Sequence, residues 1–168
     1  MRQAIASSMD RLDQIRETFA KNGTRLGTGE FRRYDKRFEV IRDVIASGEI
    51  GTPSGAIFFG ASSLMHGHIH TIDTLSFLLG DPGIVRVRGE LPDVDAASMA
   101  GNHVPEDPEA VYELEFANGV MATSAHTGSG AVYEFEIIGS EGTIRCWHQL
   151  GSDCVGSGSV GVRMRRRP

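Results

Sequence analysis

The sequence is poor in cysteine and has no long apolar run. Its 168 residues include only two cysteines, Cys146 and Cys154, whereas a disulfide-built domain usually has more cysteines in a shorter chain. We therefore expect two free thiols in a reducing compartment, the cytoplasm. No apolar run approaches the ~20 residues that cross a bilayer, and the start of the chain lacks the apolar core of a secretion signal. We expect no association with a membrane.

Glycine-rich phosphate loops and a positive net charge are missing as well. No G-x-G-x-x-G motif follows a predicted strand and there is no Walker motif, so the sequence predicts no dinucleotide site of its own. The net charge of −5 disfavours nucleic acid as the main partner. The fractions of apolar residues (40%) and charged residues (23%) are ordinary for a globular protein, and the length is sufficient for one domain with a real core.

The first half of the chain has the periodicity of helices. Apolar residues recur every three or four positions from Met9 to Phe19 and in two later segments. Ser7 is a candidate N-cap of the first helix, and Asp35 is a candidate N-cap of the second. The predicted elements are a helix that ends at Asn22-Gly23, a helix after Asp35 with Phe38, Ile41 and Ile45 on its buried side, a helix from about His70 to Leu79, and short strands at 25–29 and 56–59.

In the second half the apolar residues alternate, as they do in strands. Tyr112, Leu114 and Phe116 alternate with glutamates, and Asn118-Gly119 is a strong signal for a two-residue hairpin turn. Helices early and a meander late predict an α+β fold, an open, mainly antiparallel β-sheet with helices on one face. Further strands are expected at 120–126, 133–138 and 143–147.

The second face of this sheet is expected to be open. The strand pattern places Val120, Met121, Ile138, Ile144 and Trp147 on it. Because uncovered apolar sheet tends to find a partner, and two-fold pairing is the commonest solution, we expect a homo-oligomer, most simply a dimer, that forms through the sheet.

The last segment, 151–168, differs from the rest of the chain. It is rich in glycine and serine, ends in several arginines and has little core-forming content. This composition predicts a disordered basic tail. Anion binding by the arginines is the less favoured interpretation.

Histidines are concentrated before the third predicted helix. His66, His68 and His70 fall within five residues, and Asp73 follows one turn later. Histidine is the usual proton-transfer residue near neutral pH, and on a helix Asp73 shares a face with His70 and is placed to orient it. Two alternatives stay open, a structural role in the core and a metal site completed by Asp73 or His126. A second clear ligand motif is missing.

A second polar concentration lies at Phe31-Arg32-Arg33-Tyr34-Asp35. Adjacent arginines after a strand can bind a phosphate or carboxylate through their planar guanidinium groups. The alternative is surface charge at a helix start, although the helix dipole favours negative groups there. We take Arg32, Arg33, Tyr34 and His68 as candidate substrate-binding residues.

Five stretches together resemble one family. They are SMDRLDQIRETFAKNGTRLGTG, FRRYDKRFEVIRDVIASGEIGTP, SLMHGHIHTIDTLSFLLGDP, YELEFANGVMATS and YEFEIIGSEGTIRCW. In this order they resemble the C-terminal region of the glucose–fructose oxidoreductase, inositol dehydrogenase and MocA-like (Gfo/Idh/MocA) family. The likeness runs from about Ile5 to Trp147.

The resemblance implies an oxidoreductase with an N-terminal Rossmann domain and a C-terminal open-sheet domain. Members move hydride between NAD(P) and a hydroxyl carbon of a sugar or cyclitol, using a Glu-Lys-Pro lysine and an aspartate four residues before a histidine. His70 falls on that histidine, and Asp73 matches an acidic residue three positions beyond it. Arg32 and Arg33 match a basic pair that borders cofactor and substrate.

Two departures from the family pattern bear on activity. His66 falls on the aspartate position, and Arg2-Gln3-Ala4 stands where Glu-Lys-Pro would be. The catalytic candidates are therefore His70, His66 and Asp73, without the lysine.

By resemblance the chain divides into three parts. These are a remnant helix of a nucleotide-binding domain (1–23), an α+β substrate and oligomerisation domain (24–150) and the tail (151–168). We expect the substrate-side domain of an NAD(P)-dependent oxidoreductase for a sugar or polyol, which binds no cofactor alone and is inactive as this isolated chain. The alternatives are a non-catalytic polyol-binding or dimerisation module and a histidine-cluster metalloprotein.

Overall fold

The structure is a computed structural model that describes residues 5–6, 8–60, 67–91, 109–126, 133–149 and 159–166. Among the helices in these ranges, none has both the length and the apolar character that a bilayer crossing requires. The elements in chain order are α1 (Met9–Lys21), a 3₁₀ turn (Phe31–Tyr34), α2 (Lys36–Ala46), β1 (Pro53–Gly60), α3 (Ile69–Leu78), β2 (Ile84–Glu90), β3 (Val111–Phe116), β4 (Met121–His126), β5 (Tyr133–Gly139), β6 (Gly142–Gln149) and β7 (Ser159–Arg166).

Helix α2 follows its sequence signals closely. The Asp35 carboxylate accepts a backbone N–H of the first turn at 3.0 Å, so Asp35 is the N-cap as predicted. Phe38, Ile41 and Ile45 are buried, which confirms the predicted inner face. Phe38 stacks on Phe135 of β5 with ring centroids 6.4 Å apart, and this contact holds α2 against the sheet.

Helix α1 differs from α2 in that none of its described residues is buried. Its N-cap is Ser8, whose Oγ accepts the N–H of Arg11 at 3.3 Å, and the predicted cap Ser7 lies outside the described residues. No residue of α1 is buried among the described parts of the chain, and Met9 is 67% exposed. The helix therefore has an apolar periodicity without a core of its own.

All seven strands belong to one sheet, in the order β2-β3-β4-β1-β5-β6-β7. Strand β1 is parallel to β4, and the other five neighbouring pairs are antiparallel. Gly119 in the predicted β3–β4 turn has a φ of +84°, which glycine adopts without steric cost. The predicted α+β fold with an open, mainly antiparallel sheet is confirmed.

The core lies between the sheet and the helices α2 and α3. Phe58 of β1 pairs in register with Phe135, and Ile137 pairs with Ile144, so these four side chains share one face. All four are at most 3% exposed. Burying four large apolar side chains contributes several kcal/mol in all, at about 1.5–3 kcal/mol each.

The opposite face of the sheet is more polar than predicted. Val120 and Ile144 were placed there by the strand pattern, but each is only 1% exposed and belongs to the core, so the prediction was wrong for these two. Alternation says which residues share a face, but not which face the helices cover. Met121 is 43% exposed, and Ile138 and Trp147 are partly exposed.

Three strand predictions need correction. Residues 25–29 form no strand, and β2 was missed although valine and arginine alternate along it. Ser159–Arg166 lies in the segment predicted to be disordered, yet it pairs with β6 over eight register positions. The open edge of β6 presents unpaired backbone groups, and a segment that alternates valine or methionine with polar residues can satisfy them. The rest of 151–168 lies outside the described residues.

Cys146 is a free, buried cysteine on β6, which confirms the expected free thiol at this position. Burial raises the pKa of the Cys146 thiol to about 12. The thiol is therefore un-ionised at neutral pH, and neither a nucleophile nor a metal ligand is available here. Cys154 lies outside the described residues.

Candidate functional site

The candidate site lies where the first turn of α3 meets the residues before the 3₁₀ turn. His70 is on the second residue of α3, and its Nδ1 is 2.8 Å from Oε2 of Glu30. Both side chains are mostly buried but reachable, at 17% and 19% exposure. The ring of Phe31 stands edge-on to the His70 ring, with centroids 5.7 Å apart. The imidazole is therefore held on two sides.

The Glu30 contact determines what His70 can do chemically. A carboxylate accepts hydrogen bonds and does not donate them, so the proton of a neutral His70 ring lies on Nδ1. Nε2 then carries the lone pair and is the nitrogen able to take a proton. A histidine oriented in this way has the arrangement of a general base with an acidic partner.

The partner of His70 is not the one expected from the sequence. Asp73 was expected to orient the ring, but its Oδ1 accepts from Nε of Arg33 at 2.8 Å. Glu30 occupies that role instead. The sequence reasoning missed Glu30 because 40 positions separate it from His70, and no local spacing rule connects two such residues.

Arg33 is the centre of an ion-pair cluster. Besides Asp73, its guanidinium donates to both oxygens of Asp81, at 2.9 and 2.7 Å. These hydrogen bonds raise the pKa of Arg33 and lower the pKa of Asp81. Asp81 has a φ of +56°, an uncommon backbone conformation for a residue other than glycine. The Arg33 contact fixes a residue that the helix end leaves strained.

Two parallel contacts join the segment 30–33 to α3. Glu30 meets His70, and Arg33 meets Asp73. In each pair the two residues are 40 positions apart in the sequence. Arg33 lies three residues after Glu30, and Asp73 lies three residues after His70. The Arg33–Asp73 pair therefore holds the segment in the register that brings Glu30 to His70. Arg33 and Asp73 are in the candidate site, but in the structure they bind each other.

Arg32 and Tyr34 have surroundings different from those of Arg33. The Arg32 guanidinium carbon lies 4.8 Å from the centre of the Phe31 ring, and Tyr34 is 77% exposed. Both residues belong to the 3₁₀ turn that also carries Phe31, the residue whose ring contacts His70. Their assignment as substrate-binding residues stays a prediction.

His68 is not a surface residue. Its side chain is fully buried, and its Nδ1 lies 3.0 Å from the hydroxyl oxygen of Tyr112. The expectation that His68 contacts a substrate is therefore corrected, because the helix turn directs this ring into the core. His66, the remaining histidine of the cluster, lies outside the described residues.

A glycine pattern escaped the sequence reasoning. The letters G-x-G-x-x-G occur at 156–161. In a dinucleotide site this pattern opens a helix whose N–H groups bind the pyrophosphate. Here the residues from Ser159 onward belong to strand β7, so the described residues do not fit a dinucleotide.

The sequence matches one family model over more than half of its length. The family model described as "Oxidoreductase family, C-terminal alpha/beta domain" matches residues 57–161. The chain belongs to this Gfo/Idh/MocA oxidoreductase family, which confirms the resemblance seen in the sequence.

Individual relatives are more distant. The chain is similar to the uncharacterized oxidoreductase YrbE of Bacillus subtilis, at 26% identity over 83% of this chain and 45% of that protein. It is also similar to inositol 2-dehydrogenase 3 of Saccharopolyspora erythraea, at 25% identity over 93% of this chain and 49% of that protein. The chain therefore spans about half the length of the curated relatives it matches.

The fold is shared with solved structures. One is an inositol dehydrogenase homolog from Azotobacter vinelandii, in complex with NADH and myo-inositol. It has a TM-score of 0.69 and 15% sequence identity, over 98% of this chain and 48% of that one. Identity this low supports the common fold alone.

Proposed function

We propose that this chain is the substrate-side domain of an oxidoreductase that acts on a hydroxyl carbon of a sugar or cyclitol. The observation that carries the proposal is the His70–Glu30 pair, a histidine with an acidic partner at the start of α3. Inositol 2-dehydrogenase 3 of Saccharopolyspora erythraea, which this chain resembles, supports a polyol as the substrate class. NAD(P) would serve as the hydride acceptor in the full enzyme.

In this proposal His70 moves the proton. Its Nε2 takes the proton of the substrate hydroxyl, while Glu30 stabilises the imidazolium that forms. Arg32 and Tyr34 bind the other hydroxyl groups of the polyol, and Asp73 borders the same site. The catalytic role predicted for His66 from the sequence stays part of the proposal. A nucleotide-binding domain would hold the hydride acceptor, because the described residues do not fit a dinucleotide.

A chimera tests the proposal directly. The corresponding half of inositol 2-dehydrogenase 3 from Saccharopolyspora erythraea is replaced by this chain, and the formation of NADH or NADPH is followed with a panel of sugars and cyclitols. We expect turnover with at least one of them. A folded chimera that binds the cofactor but oxidises none of the panel would contradict the proposal.

We predict that the 168 residues alone bind no NAD(P) and do not oxidise a polyol. The reason is that β7 occupies the place where a glycine-rich loop would need a helix N-terminus. Isothermal titration with NAD⁺, NADP⁺ and the reduced forms at millimolar concentration is expected to show no binding heat. A micromolar dissociation constant for any of the four would show the prediction to be wrong.

We further propose that the protein forms a dimer through the open face of the sheet. Met121 lies on this face, and Met164 lies on the other side of the sheet beside α2; both are 43% exposed. Because burying an unpaired charge at an interface costs free energy, Met121→Glu is expected to weaken association at least tenfold. Sedimentation velocity measures this, and Met164→Glu, with equal exposure, is the control expected to leave the dimer intact.

Helix α1 fits the proposed division of the chain. Leu12, Ile15 and Phe19 share one face, yet no residue of α1 is buried among the described residues. We propose that residues 1–23 pack on a nucleotide-binding domain and that 24–150 form the substrate domain.

A non-catalytic polyol-binding or dimerisation module remains the alternative function. It rests on His66 at the family's aspartate position and on the missing Glu-Lys-Pro lysine. A histidine-cluster metal site has less support, because His68 meets Tyr112 in the core while His70 meets Glu30. The chimera separates these options, since a binding module would hold a polyol without oxidising it.

A further inference from the structure

The buried histidine His68 has no part in the proton transfer proposed for His70, yet it is fully enclosed. Its Nδ1 is 3.0 Å from the hydroxyl of Tyr112 on β3. Its ring stands edge-on to Tyr112, with centroids 5.1 Å apart, and to Phe58 on β1, at 6.4 Å. His68 thus joins the turn before α3 to two strands of the sheet.

A core position of this kind does not require a histidine for packing. Burying an imidazole costs free energy unless its nitrogens find hydrogen-bond partners, and an apolar residue such as leucine would fill the space without that cost. The hydrogen bond to Tyr112 orients His68, because it fixes the rotation of the His68 ring and of the backbone turn that carries this residue.

This turn also carries His70. His68 precedes α3 directly, in a short π-type turn at Gly67–His68, and His70 is the second residue of the helix. The sheet holds one side of the turn through Tyr112, and the segment before the 3₁₀ turn holds the other through Glu30. A rotation of the turn would therefore move the His70 ring relative to Glu30.

We propose that His68 and Tyr112 are positioning residues for His70. Their hydrogen bond fixes the first turn of α3 so that His70 Nδ1 meets Glu30 and Nε2 faces the substrate. The use made of Nε2 rests on the proposed function, whereas the positioning of the ring does not.

The first test is the variant Tyr112→Phe, which removes the hydroxyl of Tyr112 and keeps its aromatic ring. In the ¹⁵N-histidine-labelled chain, long-range ¹H–¹⁵N spectra report which nitrogen of His70 carries the proton. We expect separate Nδ1 and Nε2 signals typical of the Nδ1–H form, and Tyr112→Phe should reduce their separation toward that of a free imidazole. If folded Tyr112→Phe leaves the two signals unchanged, the proposal is wrong.

Ser124→Ala is the matched control. Ser124 is 1% exposed, pairs in register with Phe58, and its hydroxyl has no hydrogen-bond partner among the described residues. Removing this buried hydroxyl should leave the His70 signals unchanged. A change as large as that in Tyr112→Phe would mean that any loss of core polarity moves His70, which would also overturn the proposal.

A second pair of variants keeps the test decisive if Tyr112→Phe does not fold. His68→Asn retains a hydrogen-bonding group near the position of Nδ1, whereas His68→Leu retains only apolar volume. We expect the His70 signals to stay close to wild type in His68→Asn and to lose their separation in His68→Leu. Wild-type signals in His68→Leu would contradict positioning by this residue.

Activity in the chimera separates this proposal from the proposed function. Tyr112→Phe should lower kcat on the order of tenfold with KM nearly unchanged, because a misplaced base stabilises the transition state less while substrate binding stays the same. If the ¹⁵N signals move as expected but no variant of His70 affects turnover, the positioning is supported and the assignment of His70 as the base fails.

Discussion

Replacing His70 by alanine is expected to lower polyol turnover in the chimera by about two orders of magnitude or more. A positioned general base typically contributes 10²–10⁴-fold, and alanine removes the only atom assigned to take the proton, Nε2. Glu30→Gln should give an intermediate loss, because glutamine keeps the contact with Nδ1 but does not stabilise an imidazolium. Initial rates at saturating polyol and cofactor measure both effects.

Three controls show whether the loss reflects chemistry. The far-UV circular dichroism of His70→Ala should match that of the wild type, since the side chain is 17% exposed and belongs to no core cluster in the described chain. Added imidazole should restore part of the activity of His70→Ala. Glu17→Gln, at an exposed position of α1, should leave the rate unchanged. If His70→Ala keeps full activity and His126→Ala loses it, the base is His126 of β4 and not His70 of α3.

Replacing Arg33 by methionine is expected to destabilise the protein by about 2 kcal/mol. Methionine keeps the apolar stem but leaves Asp73, which is 19% exposed, without its cation. Removing one partner of a buried pair costs about 3–5 kcal/mol, and more exposed pairs cost less. Urea unfolding measures the difference, with Arg16→Met as the control, because Arg16 and Asp13 form a pair that is 69% and 58% exposed. That control should change stability by less than ~0.5 kcal/mol.

The Arg33 cluster also predicts a direction of pH dependence. The Arg33 hydrogen bonds lower the pKa of Asp81 from its ordinary value of 3.8. A carboxyl group with a lowered pKa in the folded state contributes stability above its unfolded pKa, and loses it as the pH falls through the folded one. Acidification below about pH 4 should therefore destabilise the wild type more than Arg33→Met. The cluster would be ruled out as a stabilising element if the wild type and Arg33→Met lost equal stability on acidification. Equal stability of Arg33→Met and Arg16→Met at pH 7 would rule it out as well.

The same variant connects stability to the site. Because Arg33–Asp73 runs parallel to Glu30–His70, Arg33→Met should also loosen the Glu30 contact. The ¹⁵N signals of His70 should then move in Arg33→Met and not in Arg16→Met, even at temperatures where both proteins are fully folded.

Local signals in the sequence were sufficient for much of the fold. The cap at Asp35 and the buried spacing of Phe38, Ile41 and Ile45 depend on residues within one or two turns, so they can be read from a single segment. The Asn118-Gly119 turn is equally local, since it needs only a residue that tolerates positive φ. The strand alternation after residue 110 belongs to the same class.

Two of the errors share one physical origin, which is that the observed structure depends on a distant part of the chain. Val120 and Ile144 were assigned to the open face because alternation does not say where the helices will pack. Ser159–Arg166 has a weak strand pattern that becomes ordered against the edge of β6. Neither outcome is encoded in the neighbouring residues.

The sequence by itself determined the family, the α+β class and the hairpins, and it singled out His70 as the candidate base. Only the tertiary structure decided that β1 lies between the two later hairpins, that His68 turns into the core, and that Glu30 rather than Asp73 meets the His70 ring. Helix spacing brings residues three or four positions apart onto one face. Contacts over 40 positions follow from how the segments pack, and that packing minimises the free energy of the whole chain rather than of any one segment.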